Sequence, residues 1–91
     1  MDTSPDTVTV KLPEVLGLTA AAPLAARLVA LQGSPVVLDA SKVMRLGGLC
    51  LQVLLSARVT WMTADTPLTI HDPSPAFQDA WALFGAPALS A

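Results

Sequence analysis

The chain has 91 residues, 53% of them apolar and 13% charged, which is enough for one domain with one hydrophobic core and little more. Its 5 basic residues are scattered among 7 acidic ones, so it lacks the broad basic surface that nucleic acid binding requires. Cys50 is the only cysteine, which excludes an internal disulfide, and the N-terminal residues do not follow the signal-peptide pattern. We expect a single cytoplasmic domain over residues 1–91, with residues 1–6 as a flexible lead.

The chain begins with a predicted strand and a short extended piece. Apolar and polar residues alternate over Thr7–Leu12, as in a strand with one face on a core. Pro13 ends this strand, because proline has no N–H group for the ladder. Residues 14–18 then form only a short extended segment.

A helix is predicted next, from Thr19 or Ala20 to Leu31. Pro23 is placed in its first turn and Gly33 at its end, where each residue is tolerated or favoured. Its core-facing side is formed by leucines one turn apart, namely Leu24, Leu28 and Leu31.

The middle of the chain predicts a buried strand followed by a long helix. Pro35–Asp39 is short, apolar and β-branched, as expected of a central strand buried on both faces of a sheet. Gly48–Thr63 is predicted to be helical and mostly buried. A narrow polar stripe is expected along this helix, formed by Gln52, Ser56, Thr60 and Thr63.

The last part of the chain predicts a strand over Pro67–Ile70 and a final helix. Ser74 is suited to the N-cap and Pro75 to the first helical position. The core stripe of this helix is formed by Phe77, Trp81 and Phe84, and the stop signals are Gly85 and Pro87.

The order of the elements favours an α/β fold with a small mixed β-sheet of about four strands and about three helices mainly on one face. No direct membrane insertion is expected. The most apolar region, Leu46–Met62, is interrupted by polar residues well short of the ~18–20 apolar residues that span a bilayer.

Residues suited to catalysis or metal binding are too few for an enzyme or a metalloprotein. Cys50 is best explained as a small buried apolar residue, and His71 is the only histidine. We therefore expect no enzymatic activity and no cofactor. Gly47 and Gly48 are best explained by a tight turn that requires positive φ or close backbone approach. Trp61 and Trp81 are expected in the core.

Three segments, taken in order, resemble the sulfate transporter and anti-sigma-factor antagonist (STAS) domain family. The segment "VTVKLPEVLGLTAAAPL" is similar to that family's first strand, short hairpin and helix entry. The segment "VVLDASKV" is similar to its central strand, and "IHDPSPAFQDAWALFG" to its last strand and final helix. The resemblance implies the STAS fold over nearly the whole chain.

In many family members, the start of the second long helix carries an aspartate, two hydroxyl residues, a glycine and a leucine. Aligned from Asp39, "DASKVMRLGGLCLQVLL" places Gly47, Gly48, Leu49 and Cys50 there. Leu49 takes the position of the family phosphoacceptor and is not phosphorylatable. Gly17 similarly stands where many members carry an aspartate. The resemblance therefore implies a constitutive adaptor rather than a phosphorylation switch.

The function implied is a non-catalytic protein-binding domain in a bacterial signalling complex, similar to anti-sigma-factor antagonists or chemotaxis-kinase-associated proteins. Its protein partner would be a sensor or anti-sigma kinase. The alternatives are a small accessory subunit of a lipid-transport type transporter ATPase, a small-molecule or lipid-binding domain, and a homodimer formed through an apolar helix face. The predicted partner-binding residues are Ser41, Arg45, Gly47, Gly48, Leu49, Gln52 and Ser56.

Overall fold

The computed structural model describes residues 7–83, and the predictions for residues 1–6, Phe84, Gly85 and Pro87 lie outside that range. Its strands are β1 (Val8–Lys11), β2 (Val15–Leu16), β3 (Val36–Asp39), β4 (Arg45–Leu46) and β5 (Leu68–His71). Its helices are α1 (Leu18–Ala30), α2 (Gly48–Thr63) and α3 (Pro75–Leu83). The predicted α/β fold with three helices is confirmed.

The strands form two separate parallel ladders. The three-stranded sheet has the order β1-β3-β5, with β3 in the centre as predicted, and β2 pairs with β4 in a two-stranded sheet. Every pairing among residues 7–83 is parallel, whereas the sequence led us to expect a mixed sheet. The reason is that a helix lies between the paired strands of each ladder, and such a crossover returns the chain in the same direction.

The helices cover one face of the three-stranded sheet. Val10, Val36 and Leu38 point to that face and are fully buried. The alternate residues point to the other face, where Lys11 is exposed and Asp39 half-buried. The prediction that β3 is buried on both faces is therefore wrong, because Val37 and Asp39 on the second face are only half-buried and no helix of residues 7–83 covers them.

Helix α1 begins slightly earlier than predicted. The Gly17 carbonyl accepts the Ala20 N–H at 3.1 Å, so the helix starts at Leu18 and Pro23 falls in its second turn, not its first. Proline costs a helix one backbone hydrogen bond there. Leu24 and Leu28 of the predicted leucine stripe are buried, while Leu31 lies just past the end of α1 as its C-cap and is half-buried against the core. Gly33 turns the chain with a φ of +93°.

Helices α2 and α3 start where the sequence predicts. The Ser74 hydroxyl accepts the Phe77 N–H at 3.1 Å and donates to the Val43 carbonyl, which caps α3 and attaches it to the loop before β4. Phe77 stacks on Trp81 with ring centroids 5.6 Å apart, and both are buried. No helix within residues 7–83 is long and apolar enough to cross a membrane.

Candidate functional site

The β2–β4 ladder brings the starts of α1 and α2 together. Each strand has only two residues, and each leads directly into a helix. Leu16 and Leu46 point inward and are buried, which anchors the ladder to the core. The Gly47 N–H donates to the Leu16 carbonyl at 2.9 Å, and the Glu14 carbonyl accepts the Arg45 N–H at 3.1 Å. This arrangement fixes the two helix starts side by side.

Two glycines lie next to each other at the two helix starts. Gly17 and Gly47 are the N-caps of α1 and α2, and neither helix start has a side-chain cap. A methyl group on Gly47 would lie 3.2 Å from the Leu16 carbonyl oxygen. Gly47 has a φ of −83°, so close backbone approach explains this glycine and the predicted alternative of positive φ is wrong.

Cys50, in the first turn of α2, contacts the residue that precedes α1. Its side chain is fully buried, and its thiol donates to the Gly17 carbonyl at 3.4 Å. Burial raises the pKa of the Cys50 thiol, which keeps it protonated and unreactive. The prediction of a buried apolar residue is confirmed, and the contact also positions α1 against α2.

Large apolar side chains surround these helix starts and face solvent. Leu18 is 78% exposed, Leu49 is 49% exposed and Val15 is 53% exposed. Arg45 is the register partner of Val15 in the β2–β4 ladder and is exposed beside it. We call the surface formed by Val15, Leu18, Arg45 and Leu49 the docking face. Large apolar side chains exposed near one another are typical of sites where other molecules bind.

The structure separates the predicted partner-binding residues into three places. Arg45 and Leu49 lie on the docking face, and the half-buried Gly47 and Gly48 form the start of α2 between them. Gln52 and Ser56 lie further along α2 and line a groove that Leu49 also lines, so this groove adjoins the docking face. Ser41 lies elsewhere, in the turn after β3, where its N–H donates to Asp39 Oδ1 at 3.0 Å.

Gln52 and Ser56 line an open groove between α1 and α2 of about 380 Å³. Thr60 of the predicted polar stripe also lines this groove, whereas Thr63 does not, and Leu28 and Val53 contribute apolar lining. Trp61 also lines the groove and donates its indole N–H to the Ser34 carbonyl at 2.7 Å. Both tryptophans are buried, as predicted, but α2 also exposes Val59 and Met62, so the expectation of an otherwise buried helix is wrong.

Three polar or charged side chains lie side by side at the ends of the three strands, on the face of the sheet that residues 7–83 leave uncovered. Lys11, Asp39 and His71 are register partners across the three strands. Hydrogen bonds from Ser41 lower the pKa of the Asp39 carboxyl, with smaller contributions from His71 and Lys11. Within residues 7–83, no group of three or more potential ligands is placed to bind a metal ion.

Sequence reasoning missed two apolar residues of the docking face, Val15 and Leu18, as well as the neighbouring Met44, which is 70% exposed. In the sequence each belongs to a short apolar run that is indistinguishable from core. For Val15 the available signal was the position between Pro13 and Gly17, which leaves a segment too short to bury every side chain, whereas no comparable signal marks Leu18 or Met44.

The family model described as "Mlab, STAS domain" matches residues 1–89 of the chain. No curated protein and no solved structure gives a significant match.

Proposed function

The chain belongs to the STAS domain family, and from that premise we propose that it is a non-catalytic subunit that binds a protein partner through the docking face. The family match supports a regulatory or binding role, and it covers almost the whole chain. The observation that carries the proposal is the exposure of Val15, Leu18 and Leu49 around two rigidly joined helix starts. Such a surface loses apolar area from water when a partner covers it.

The docking face supports constitutive binding rather than a phosphorylation switch. Leu49 stands at the position of the family phosphoacceptor and has no hydroxyl group. Cys50 follows it, but its thiol is buried and already donates to the Gly17 carbonyl. A phosphate would also add two negative charges to an apolar surface and weaken a hydrophobic contact there.

The missing hydroxyl at Leu49 makes some classes of protein partner better candidates than others. An anti-sigma-factor antagonist of the switching type depends on the hydroxyl that Leu49 replaces. A permanent complex does not need it, so the missing hydroxyl favours a small accessory subunit of a transporter ATPase, or a stable adaptor of a sensor kinase, over a phosphorylated antagonist. In our proposal either partner would bind the docking face, and affinity capture would distinguish the two classes by the protein that is retained.

Affinity capture of the tagged chain from its own cells tests the proposal. Gly48→Arg places a long charged side chain at the start of α2 and is expected to abolish retention of the partner. Thr69→Arg is the matched control, because it adds the same side chain on the exposed face of the three-stranded sheet. Circular dichroism and a thermal melt confirm that both variants fold. Equal retention of the partner by Gly48→Arg and wild type would contradict the proposal.

The small-molecule or lipid alternative would use the groove between α1 and α2, whose volume is within the range of small-molecule sites. Native mass spectrometry of the freshly purified protein would detect a co-purified ligand as an added mass. Replacing Val53 with tryptophan fills the groove, so a mass that disappears in this variant would place the ligand there. Sedimentation at high concentration tests the homodimer, which predicts twice the monomer mass.

A further inference from the structure

The charge next to the docking face has the opposite sign to that of the whole chain. The chain carries a formal net charge of −2. On the docking face, however, the charged residue is Arg45, and within residues 7–83 Lys42 and Glu14 line a pocket together with Met44, next to Arg45 in the chain. The first turns of α1 and α2 contain no acidic residue either, so the helix dipoles add positive potential of the same sign.

Arg45 is the charged residue of the docking face. It is exposed, and its backbone is held by the β2–β4 ladder opposite Val15. The guanidinium has no hydrogen-bond or ion-pair partner among residues 7–83. Docking of an apolar surface over Val15 would remove water from this guanidinium as well.

A guanidinium that loses its water must gain hydrogen bonds, or its desolvation opposes binding. A carboxylate is the complementary group, since its two oxygens match the forked N–H donors of arginine. The neighbouring apolar side chains, Leu18 and Leu49, require apolar side chains opposite them. A basic partner surface would meet charge of its own sign here and would be repelled.

We infer that the docking face recognises a protein segment in which an acidic side chain, paired with Arg45, is flanked by apolar side chains. This inference rests on the proposed function, because it assigns the chemistry of the partner at the same surface. It also makes Arg45 a determinant of partner specificity and not only of affinity.

A display library of random linear peptides is the probe, selected against the purified protein. We expect enriched peptides to contain Asp or Glu with apolar neighbours. A synthetic copy of one such peptide is then titrated against wild type and variants by fluorescence polarisation. Arg45→Glu should weaken binding by roughly tenfold or more, and higher salt should weaken it as well.

Two further variants separate the effect of the Arg45 charge from misfolding and from the change in the net charge of the protein. Arg27→Glu makes the same charge change in the last turn of α1, away from the docking face, and should leave affinity nearly unchanged. Arg45→Met keeps an unbranched apolar stem without the charge, and should weaken binding even if Arg45→Glu fails to fold. Replacing the acidic residue of the peptide with its amide should abolish the difference between wild type and Arg45→Met.

The outcomes distinguish this inference from the proposed function. Enriched peptides that are apolar without an acidic residue, but that lose binding with Gly48→Arg, would refute the role of Arg45 and leave the docking face intact. Enriched peptides that bind Gly48→Arg as well as wild type would refute both. Failure to enrich any peptide, with a displayed affinity tag as positive control, would also count against both.

Discussion

Replacing Gly47 with alanine is expected to destabilise the protein, whereas the same replacement at Gly17 should leave its stability nearly unchanged. Both glycines are N-caps with extended backbone, and neither has positive φ. They differ in the space around them. A methyl group on Gly17 would meet its nearest neighbour, Val15 Cγ1, at an ordinary 3.8 Å, while one on Gly47 would lie 3.2 Å from the Leu16 carbonyl oxygen.

The magnitude follows from comparing the two sites. At either N-cap, alanine restricts the unfolded chain and gains about 0.4–1 kcal/mol. It also caps a helix less well than glycine, by a similar amount of about 0.5–1 kcal/mol, so the two effects offset each other. At Gly47 the methyl group must additionally displace a carbonyl that already accepts the Gly47 N–H at 2.9 Å. Overpacking of this kind costs about 1–2 kcal/mol.

Thermal and urea denaturation of both variants beside wild type provide the assay. A loss of 1 kcal/mol lowers the melting temperature of a domain of this size by about 4–8 °C, so Gly47→Ala should melt clearly below Gly17→Ala. An unchanged urea m-value would show that the effect is on stability alone. Equal melting temperatures for the two variants would refute the explanation of Gly47 by close backbone approach.

Three further experiments test the helix cap at Ser74, the burial of Cys50 and the hydrogen bonds to Asp39. Ser74→Ala removes the cap on the Phe77 N–H and should cost about 1–2 kcal/mol, while Ser74→Thr keeps the hydroxyl and should cost less; denaturation of the two variants compares them. Cys50 is buried, so a thiol reagent should label it slowly in the native protein and rapidly in denaturant, and equal rates would contradict its burial. Because hydrogen bonds from Ser41 lower the pKa of Asp39 in the folded state, its carboxylate stabilises the protein above its unfolded pKa of about 3.8 and less as pH falls below that value. The stability difference between wild type and Asp39→Asn, followed by urea denaturation from pH 6 to about pH 3, should therefore shrink on acidification.

The type and order of most elements could be predicted from the sequence, because short-range patterns determine them. Leucines spaced by one turn indicate α1, and the alternation over Thr7–Leu12 indicates β1. The Ser74-Pro75 pair marks the start of α3, where the hydroxyl caps the helix in the structure. These signals depend only on residues a few positions apart, so tertiary contacts were not needed to find them.

The site, in contrast, depends on pairings between residues far apart in the chain. The two-residue strands β2 and β4 have no periodicity to recognise, yet their pairing over 30 residues places Gly17 beside Gly47 and Val15 beside Arg45. Exposure is also a tertiary property. Leu16 and Leu18 are the same residue type two positions apart, but the core covers only Leu16 and leaves Leu18 at the surface. Composition and spacing thus predicted an α/β domain, while packing alone decided which of its apolar side chains lie at the surface.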